Sequence, residues 1–309
     1  MMDGILIVDK PAGMTSHDVV IKVRKLFRTR RVGHTGTLDP FATGVLVICL
    51  NQATRLVQFL TGEEKEYVAT MRLGFATDTG DLTGTPLGPV KDARGIDAEQ
   101  VAAALAPFRG RIRQIPPMYS AKKIGGVKLY EMARRGEAIE REPIEIEIRE
   151  LEMADPLESV LPGDPLTRDF SMRVVCSSGT YVRTLAEDLG RSLGIGAHLV
   201  RLRRTRAGRC EIGRAFRLEQ LASFAETEEL AATLIPMVEA VSLPTLSLSA
   251  AECKDVAHGR SILRQGDWPD GRLAMLCNAD RQLMAVAAFD AEKFLWQPRV
   301  VLAGPSASP

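Results

Sequence analysis

RVGHTGTLDPFATGVLVICL, residues 31–50, decides how this chain is read. Its second half, VLVICL, is an unbroken apolar run of strand length, the pattern of a strand buried on both faces. Its first half gathers three glycines and three threonines around Asp39, the only acidic residue between Asp18 and Glu63. Glycine and proline mark a turn there. An aspartate in a turn commonly accepts hydrogen bonds from nearby backbone amides. A carboxylate held ionised and oriented by an arginine can also act as a nucleophile. From these residues alone both readings of Asp39 stand.

Outward from this stretch, the chain alternates short strands and capped helices. ILIV (5–8) reads as a strand, and Thr15 or Ser16 caps a helix whose apolar face is Val19, Val20, Val23, Leu26 and Phe27. After the strand Val45–Leu50, Asn51 is expected to cap a helix running through Leu60. Tyr67, Ala69, Met71 and Leu73 alternate as one face of a half-buried strand. A polar glycine-rich loop (75–88), a helix near 98–106 capped by Asp97 and the strand GRIRQI follow. Residues 116–143 are basic and glycine-punctuated, with one short helix ending at Gly136, and read as an excursion from the core. Strands are expected at 144–151, 170–178 and 199–206. A helix between the last two turns Leu185, Leu189 and Leu193 inward and ends at Gly194, and another helix lies near 218–225. Beyond a looser stretch, residues 246–309 form a small β-rich unit joined by a linker, with a helix from Ser249 to His258 and strands near 272–277, 282–288 and 298–302.

Composition narrows the class. The 309 residues are 45% hydrophobic and 26% charged, enough for one large domain and a small one. The net charge of +1 names no partner, but its distribution does: six of the ten residues 22–31 and five of the nine residues 201–209 are basic. Such clusters suit a polyanion or a solvated face. The five cysteines are widely spaced without a C-x-x-C, as free buried thiols would be in a reducing compartment, and the four histidines lack metal-ligand spacing. No leader or membrane-length apolar run is present, so a cytoplasmic location is expected. No P-loop or dinucleotide fingerprint occurs. Locally, Tyr67 reads as a core aromatic, Arg183 as a surface charge and His34 as a turn residue. No sequence rule brings Asp39, Tyr67 and Arg183 together. On these signals the chain is an RNA- or phosphate-binding protein of mixed α and β structure.

Five segments, GILIVDKPAGMTSHDVV, RVGHTGTLDPFATGVLVICL, KEYVATMRLG, PPMYSAKKIGGVKLYEMARRG and CSSGTYVRTLAEDLG, together resemble, in this order, the TruB family of tRNA pseudouridine-55 synthases, the bacterial stand-alone type. The resemblance spans about residues 4–225, and 246–309 is more loosely similar to the PUA-type RNA-binding module. It implies an α+β fold, a mixed, mainly antiparallel sheet flanked by helices, with a catalytic domain over 1–240, an RNA-clamping insertion at about 116–143 and a PUA-like domain over 246–309. The implied activity is isomerisation of the uridine at position 55 of the tRNA T-loop, with no cofactor and no metal. The implied partner is the tRNA T-arm, met by a monomer without an obligatory protein partner or a membrane.

Residue by residue, the resemblance makes Asp39 the nucleophile, acting on the sugar C1′ or the base C6. Tyr67 stacks on the target base and is a candidate proton acceptor. Arg183 pairs with Asp39 and is expected to hold it ionised. Tyr181 and Leu202 line the base pocket, and Lys10 supports it. His34 fills the space left by the flipped base, whose extrusion costs roughly a few kcal/mol. The two basic runs would contact phosphates. Thr37 and Phe41 stand where the family often has Ala and Leu, and neither change touches Asp39. A guide-RNA-dependent relative and an RNA-folding protein are the alternatives.

Overall fold

A computed structural model describes residues 2–120, 123–129, 132, 135–137, 139–154, 164–227, 229–264 and 266–302. In chain order the elements begin β1 (Gly4–Lys10), α1 (Ser16–Leu26), β2 (Val32–His34), β3 (Thr43–Leu50), α2 (Val57–Leu60), β4 (Lys65–Leu73), α3 (Ala98–Leu105) and β5 (Gly110–Gln114). A small hairpin, β6 (Lys123–Ile124) with β7 (Val127–Lys128), precedes β8 (Ile144–Ala154), β9 (Arg168–Cys176), α4 (Val182–Ser192), β10 (Ala197–Ala207) and β11 (Cys210–Glu211). The remainder is α5 (Leu218–Glu226), α6 (Met237–Ala240), β12 (Thr245–Ser247), α7 (Ala250–Ala257), β13 (Ile262–Leu263), β14 (Leu273–Cys277), β15 (Leu283–Asp290) and β16 (Leu295–Val301).

Nine strands form one sheet in the order β1-β3-β10-β4-β9-β8-β5, with β2 on β3 and β11 on β10. All its pairs are antiparallel except β3 with β10, where Thr43 faces Arg203 and Gly44 faces Arg204. A second, five-stranded sheet runs β12-β14-β15-β16-β13. The expected α+β, mainly antiparallel fold with a β-rich C-terminal part is what the chain adopts. No helix among the described residues is long and apolar enough to cross a membrane.

Alternation explains the layers. In β1, Leu6 and Val8 join the cluster under α1 and α5, while Ile5 and Ile7 join a cluster on the opposite face. That second cluster also contains Met275, Cys277, Leu283, Val286 and Val300 of the C-terminal sheet. The C-terminal unit therefore shares a core with the large sheet, closer than the linker-joined module the sequence suggested. Each fully buried Leu or Ile contributes about 1.5–3 kcal/mol.

Local signals mostly hold. Thr15 caps α1 in a reciprocal box with Asp18, Asp97 caps α3, and Ser249 caps α7. Asn51 is a correction. It caps no helix but sits at φ 51°, donating to the Met2 carbonyl and accepting from Thr29, and residues 51–56 wind as a 3-10 turn. An asparagine tolerates the left-handed region, and here that turns the chain off β3. β4 is not half-buried either. Thr70 meets the Ser171 hydroxyl at 2.9 Å and Arg72 chelates Asp169, so its polar side is enclosed by pairing with β9. The short helix expected before Gly136 lies outside the described residues.

Candidate active site

The loop before β3 is fixed from below. The Ser16 hydroxyl accepts from the Leu38 amide at 2.8 Å and reaches the Leu38 carbonyl. Lys10, fully buried at the end of β1, donates to the carbonyls of Pro11, Met14 and Pro40. Gly13 donates to the same Pro40 carbonyl at 2.8 Å. These bonds hold the backbone on both sides of Asp39 without using its side chain. Among the described residues the carboxylate accepts no turn amide, so the turn-capping reading falls.

Its partner is Arg183, in the first turn of α4. Nε donates to Asp39 Oδ2 at 2.9 Å and Nη2 to Oδ1 at 3.2 Å, a bidentate pair joining residues far apart in sequence. The remaining guanidinium donors go to the Thr79 carbonyl at 2.7 Å and the Tyr119 carbonyl at 2.6 Å. Asp81 lies 3.9 Å behind it and is itself held by Thr79 and Thr83. The side chain of Arg183 is 5% exposed, whereas that of Asp39 is 32% exposed. The carboxylate thus opens on the cavity while its cation is sealed in.

That cavity has a volume of about 360 Å³, within the range of small-ligand sites. Asp39, Tyr67, Tyr181, Arg183, Leu202, Arg204, Lys65, Ser120 and the turn 177–180 line it. Strand register places three of them. Tyr67 pairs with Arg204 and Ala69 with Leu202, so Tyr67, Leu202 and Arg204 share one face of the sheet. Tyr181 opens α4, and Gln114 of β5 clamps its backbone from both sides at 2.8 and 3.0 Å. His34 and Lys10 do not line the cavity. His34 ends β2 half-buried with Nδ1 unpartnered, and Lys10 lies under the loop.

The electrostatics correct one expectation. Burial pushes the Asp39 carboxyl above the usual carboxylate range; Arg183 pulls it back, and Asp81 adds to the rise. The arginine opposes desolvation without overturning it. Burial likewise raises the Tyr67 phenol, against the pull of Arg204, and raises Tyr181. It lowers His34, keeping the imidazole neutral at pH 7, and brings Lys10 and Lys65 to about 8.

Sequence reasoning missed Arg204. It is 2% exposed and donates from Nε to the Val45 carbonyl at 2.6 Å and from Nη2 to the Gly36 carbonyl at 3.0 Å. The available signal was its two-residue spacing from Leu202. Two of its neighbours are engaged within the protein, Arg203 with Asp9 at 2.8 Å and Arg206 with Glu64 at 2.7 Å. Arg204 also explains one glycine. A Cβ on Gly44, at φ 100°, would lie 2.2 Å from the Arg204 carbonyl oxygen, so this position is small to admit the neighbouring strand.

The chain is similar to known proteins along most of its length. The family model described as TruB family pseudouridylate synthase (N terminal domain) matches residues 24–182, and that described as tRNA pseudouridylate synthase B C-terminal domain matches residues 183–242. A Thermobifida fusca protein called tRNA pseudouridine synthase B is 45% identical over 285 residues, covering 89% of this chain and 94% of that one. Its namesake in Bacillus pumilus is 39% identical, covering 98% of each chain. Among solved structures, one titled as an H/ACA RNP bound to a substrate RNA containing 2′-deoxyuridine aligns with a TM-score of 0.74 at 24% identity. It covers 99% of this chain and 87% of that one, a likeness of fold.

Proposed function

Since the chain belongs to the TruB family of pseudouridylate synthases, we propose that it isomerises uridine to pseudouridine at position 55 in the T-loop of tRNA, with Asp39 as the nucleophile. The observation that carries this reading is the Asp39–Arg183 pair at the floor of a cavity walled by two tyrosines. The reaction breaks the C1′–N1 bond, joins C1′ to C5, releases the C5 proton to solvent and places a proton on N1, so it consumes no redox equivalent or group donor. What it needs is an oriented carboxylate, a closed pocket to keep the detached base, and a proton acceptor. Once the flipped uracil displaces water, the effective dielectric falls and the Arg183–Asp39 attraction strengthens. Arg183, already bonded to four acceptors, needs no reorganisation when that happens.

In this reading Tyr67 stacks on the base. As proton acceptor it would have to become a phenolate, which burial opposes and the Arg204 guanidinium supports. Tyr181 and Leu202 close the pocket, and His34, neutral, half-buried and next in sequence to the cavity-lining Thr35, takes the place vacated by the base. Lys10 holds the loop through the Pro40 carbonyl. Residues 1–240 form the catalytic domain and 246–309 a PUA-like RNA-binding domain, and the protein acts in the cytoplasm as a monomer without a guide RNA. Identity of 39–45% with proteins called tRNA pseudouridine synthase B supports that stand-alone reading.

The deciding experiment incubates the purified protein with T-arm RNA carrying 5-tritiated uridine. The wild type releases tritium from position 55, whereas Asp39→Asn binds the RNA and releases none. Undiminished release by the variant sinks the assignment of Asp39. Inactivity of the pure wild type, relieved by a guide-RNA complex, favours the guide-dependent reading. Full rescue of a deletion strain by Asp39→Asn identifies RNA folding as the role that matters.

A further inference from the structure

Arg183 and Glu187 stand one turn apart on α4, so both side chains rise from the same face of the helix. Between them lies Gly80, at φ 71°. A Cβ there would fall 2.1 Å from Glu187 Oε1 and 3.3 Å from Arg183 Cβ. Arg183 is fully engaged, with Asp39 and with the Thr79 and Tyr119 carbonyls. The half-buried Glu187 carboxylate makes no ion pair and no hydrogen bond among the described residues. Burial pushes this carboxyl upward; Arg183 pulls it back, Asp188 adds to the rise, and Arg191 and Arg141 oppose it. A carboxylate withdrawn from water without a partner is costly, so its presence calls for a reason.

Glu187 lines a separate cavity of about 510 Å³, bounded by α4, the loop 76–87 and both ends of the 116–143 excursion. Other charged groups on its wall are engaged: Arg191 with Asp188 at 2.6 Å, Lys91 with the Gly194 carbonyl at 2.7 Å, and Asp78 with the Thr85 amide at 2.7 Å. Arg141 is the exception. Its Nη1 donates to the Pro116 carbonyl at 2.9 Å, tying the two ends of the excursion together, but its Nε is buried without a partner. One unpaired anion and one half-used cation thus line the same space. The contacts form a ring with a single open link. Arg183 Nη2 holds the Tyr119 carbonyl at 2.6 Å, Pro116 three residues earlier accepts from Arg141, and Glu187 leads back to Arg183 along α4. Only the step from Arg141 to Glu187 is missing.

We propose that Glu187 and Arg141 pair in the working enzyme and close this ring, so that both act as positioning residues for Arg183. The inference rests on the isomerase reading above. Arg183 Nη2, which donates to the Tyr119 carbonyl, also holds Asp39 Oδ1, so whatever fixes residues 116–120 fixes how the guanidinium presents its fork to the nucleophile. Neither Glu187 nor Arg141 lines the catalytic cavity, so each acts through Arg183 rather than on the base.

The test uses the full chain and a T-arm stem-loop RNA. It reads turnover at saturating RNA, RNA affinity, melting temperature and the Nε–H nuclear magnetic resonance of Arg141. Glu187→Gln and Arg141→Met are each expected to lower turnover about tenfold with RNA affinity within about twofold of wild type, and the double variant loses no more than the worse single one. Arg141→Lys recovers part of the turnover lost in Arg141→Met. Glu187→Gln melts no lower than wild type, because it removes an unpaired buried charge. Adding RNA shifts the Arg141 resonance in the wild type and not in Glu187→Gln. Losses that multiply in the double variant, a melting temperature that falls along with turnover in Glu187→Gln, or a resonance indifferent to Glu187 overturns the proposal. If the wild type releases tritium and Glu187→Gln is as fast, the pair fails alone. If the resonance responds through Glu187 but the wild type releases no tritium, the isomerase reading fails alone.

Discussion

Replacing Arg183 with methionine removes the cation and leaves the nucleophile in place. The two charges lie with N and O at 2.9 Å, and at an effective dielectric of 20 such a pair is worth about 4 kcal/mol at 4 Å. Because 32% of the Asp39 side chain is exposed, solvent takes roughly half of this, leaving about 2 kcal/mol. Burial already pushes Asp39 upward, and without Arg183 it moves further in the same direction. The nucleophile works as the anion, so activity is lost as pH falls through its pKa. The acid limb of the pH–rate profile therefore moves to higher pH by about 1–2 units in Arg183→Met. On the plateau above the limb, turnover still falls about 10²–10³-fold, because no preorganised donor aligns the carboxylate. Arg183→Lys keeps the charge but not the two-pronged geometry, so its limb stays near the wild type while its plateau drops. Thermal melts of both variants accompany the kinetics, since the Thr79 and Tyr119 carbonyls lose their donor, at about 1–3 kcal/mol each. A folded Arg183→Met enzyme with an unmoved acid limb refutes the reasoning.

Three further outcomes are expected. Tyr67→Phe keeps the ring and removes the hydroxyl, so RNA affinity holds while single-turnover rate falls at least about 10²-fold; a rate within a few-fold of wild type removes the phenol from proton transfer. Lys10, at about 8, is penalised as a cation in the folded state at low pH, and that penalty lifts as pH rises from about 8 towards 10.5, so urea midpoints of the wild type should rise relative to Lys10→Met across that window. Deleting residues 246–309 uncovers the cluster around Ile5, Cys49, Leu56 and Ala240, so a fragment of residues 1–245 should melt far lower or be insoluble; a fragment with an unchanged melting temperature would show that the shared core contributes nothing.

The sequence carried what local chemistry decides. Thr15, Asp97 and Ser249 announced their helices because a short side chain three residues before Asp, Gln or Glu satisfies free amides in any context. Tyr67 and Leu202 could be placed on strands because alternation is a property of the chain. Asn51 misled because asparagine suits a left-handed residue as well as a helix cap, and here its side chain bonds Thr29 and Met2 of other segments instead of a helix. Sheet order was not legible. β10 lies between β3 and β4 although 123 residues separate Leu73 from Ala197, and only that insertion brings Arg204 beside Tyr67. The bidentate pair was hidden for the same reason, since nothing near Asp39 or Arg183 reveals the other.

Arginines make the limit concrete, since one residue type has three fates here, set by what faces it. Arg183 is sealed and oriented by acceptors from three separate segments, so its free energy is tied to the nucleophile. Arg204 is equally enclosed but spends its donors on the carbonyls of Gly36 and Val45, in and just after the loop that carries Asp39. Arg28 and Arg30 face water without a carboxylate. Only the last kind can exchange counterions for an RNA phosphate without first breaking an internal bond. Counting basic residues therefore overstates the RNA-binding charge, and the uncompensated ones mark where a polyanion gains most by docking.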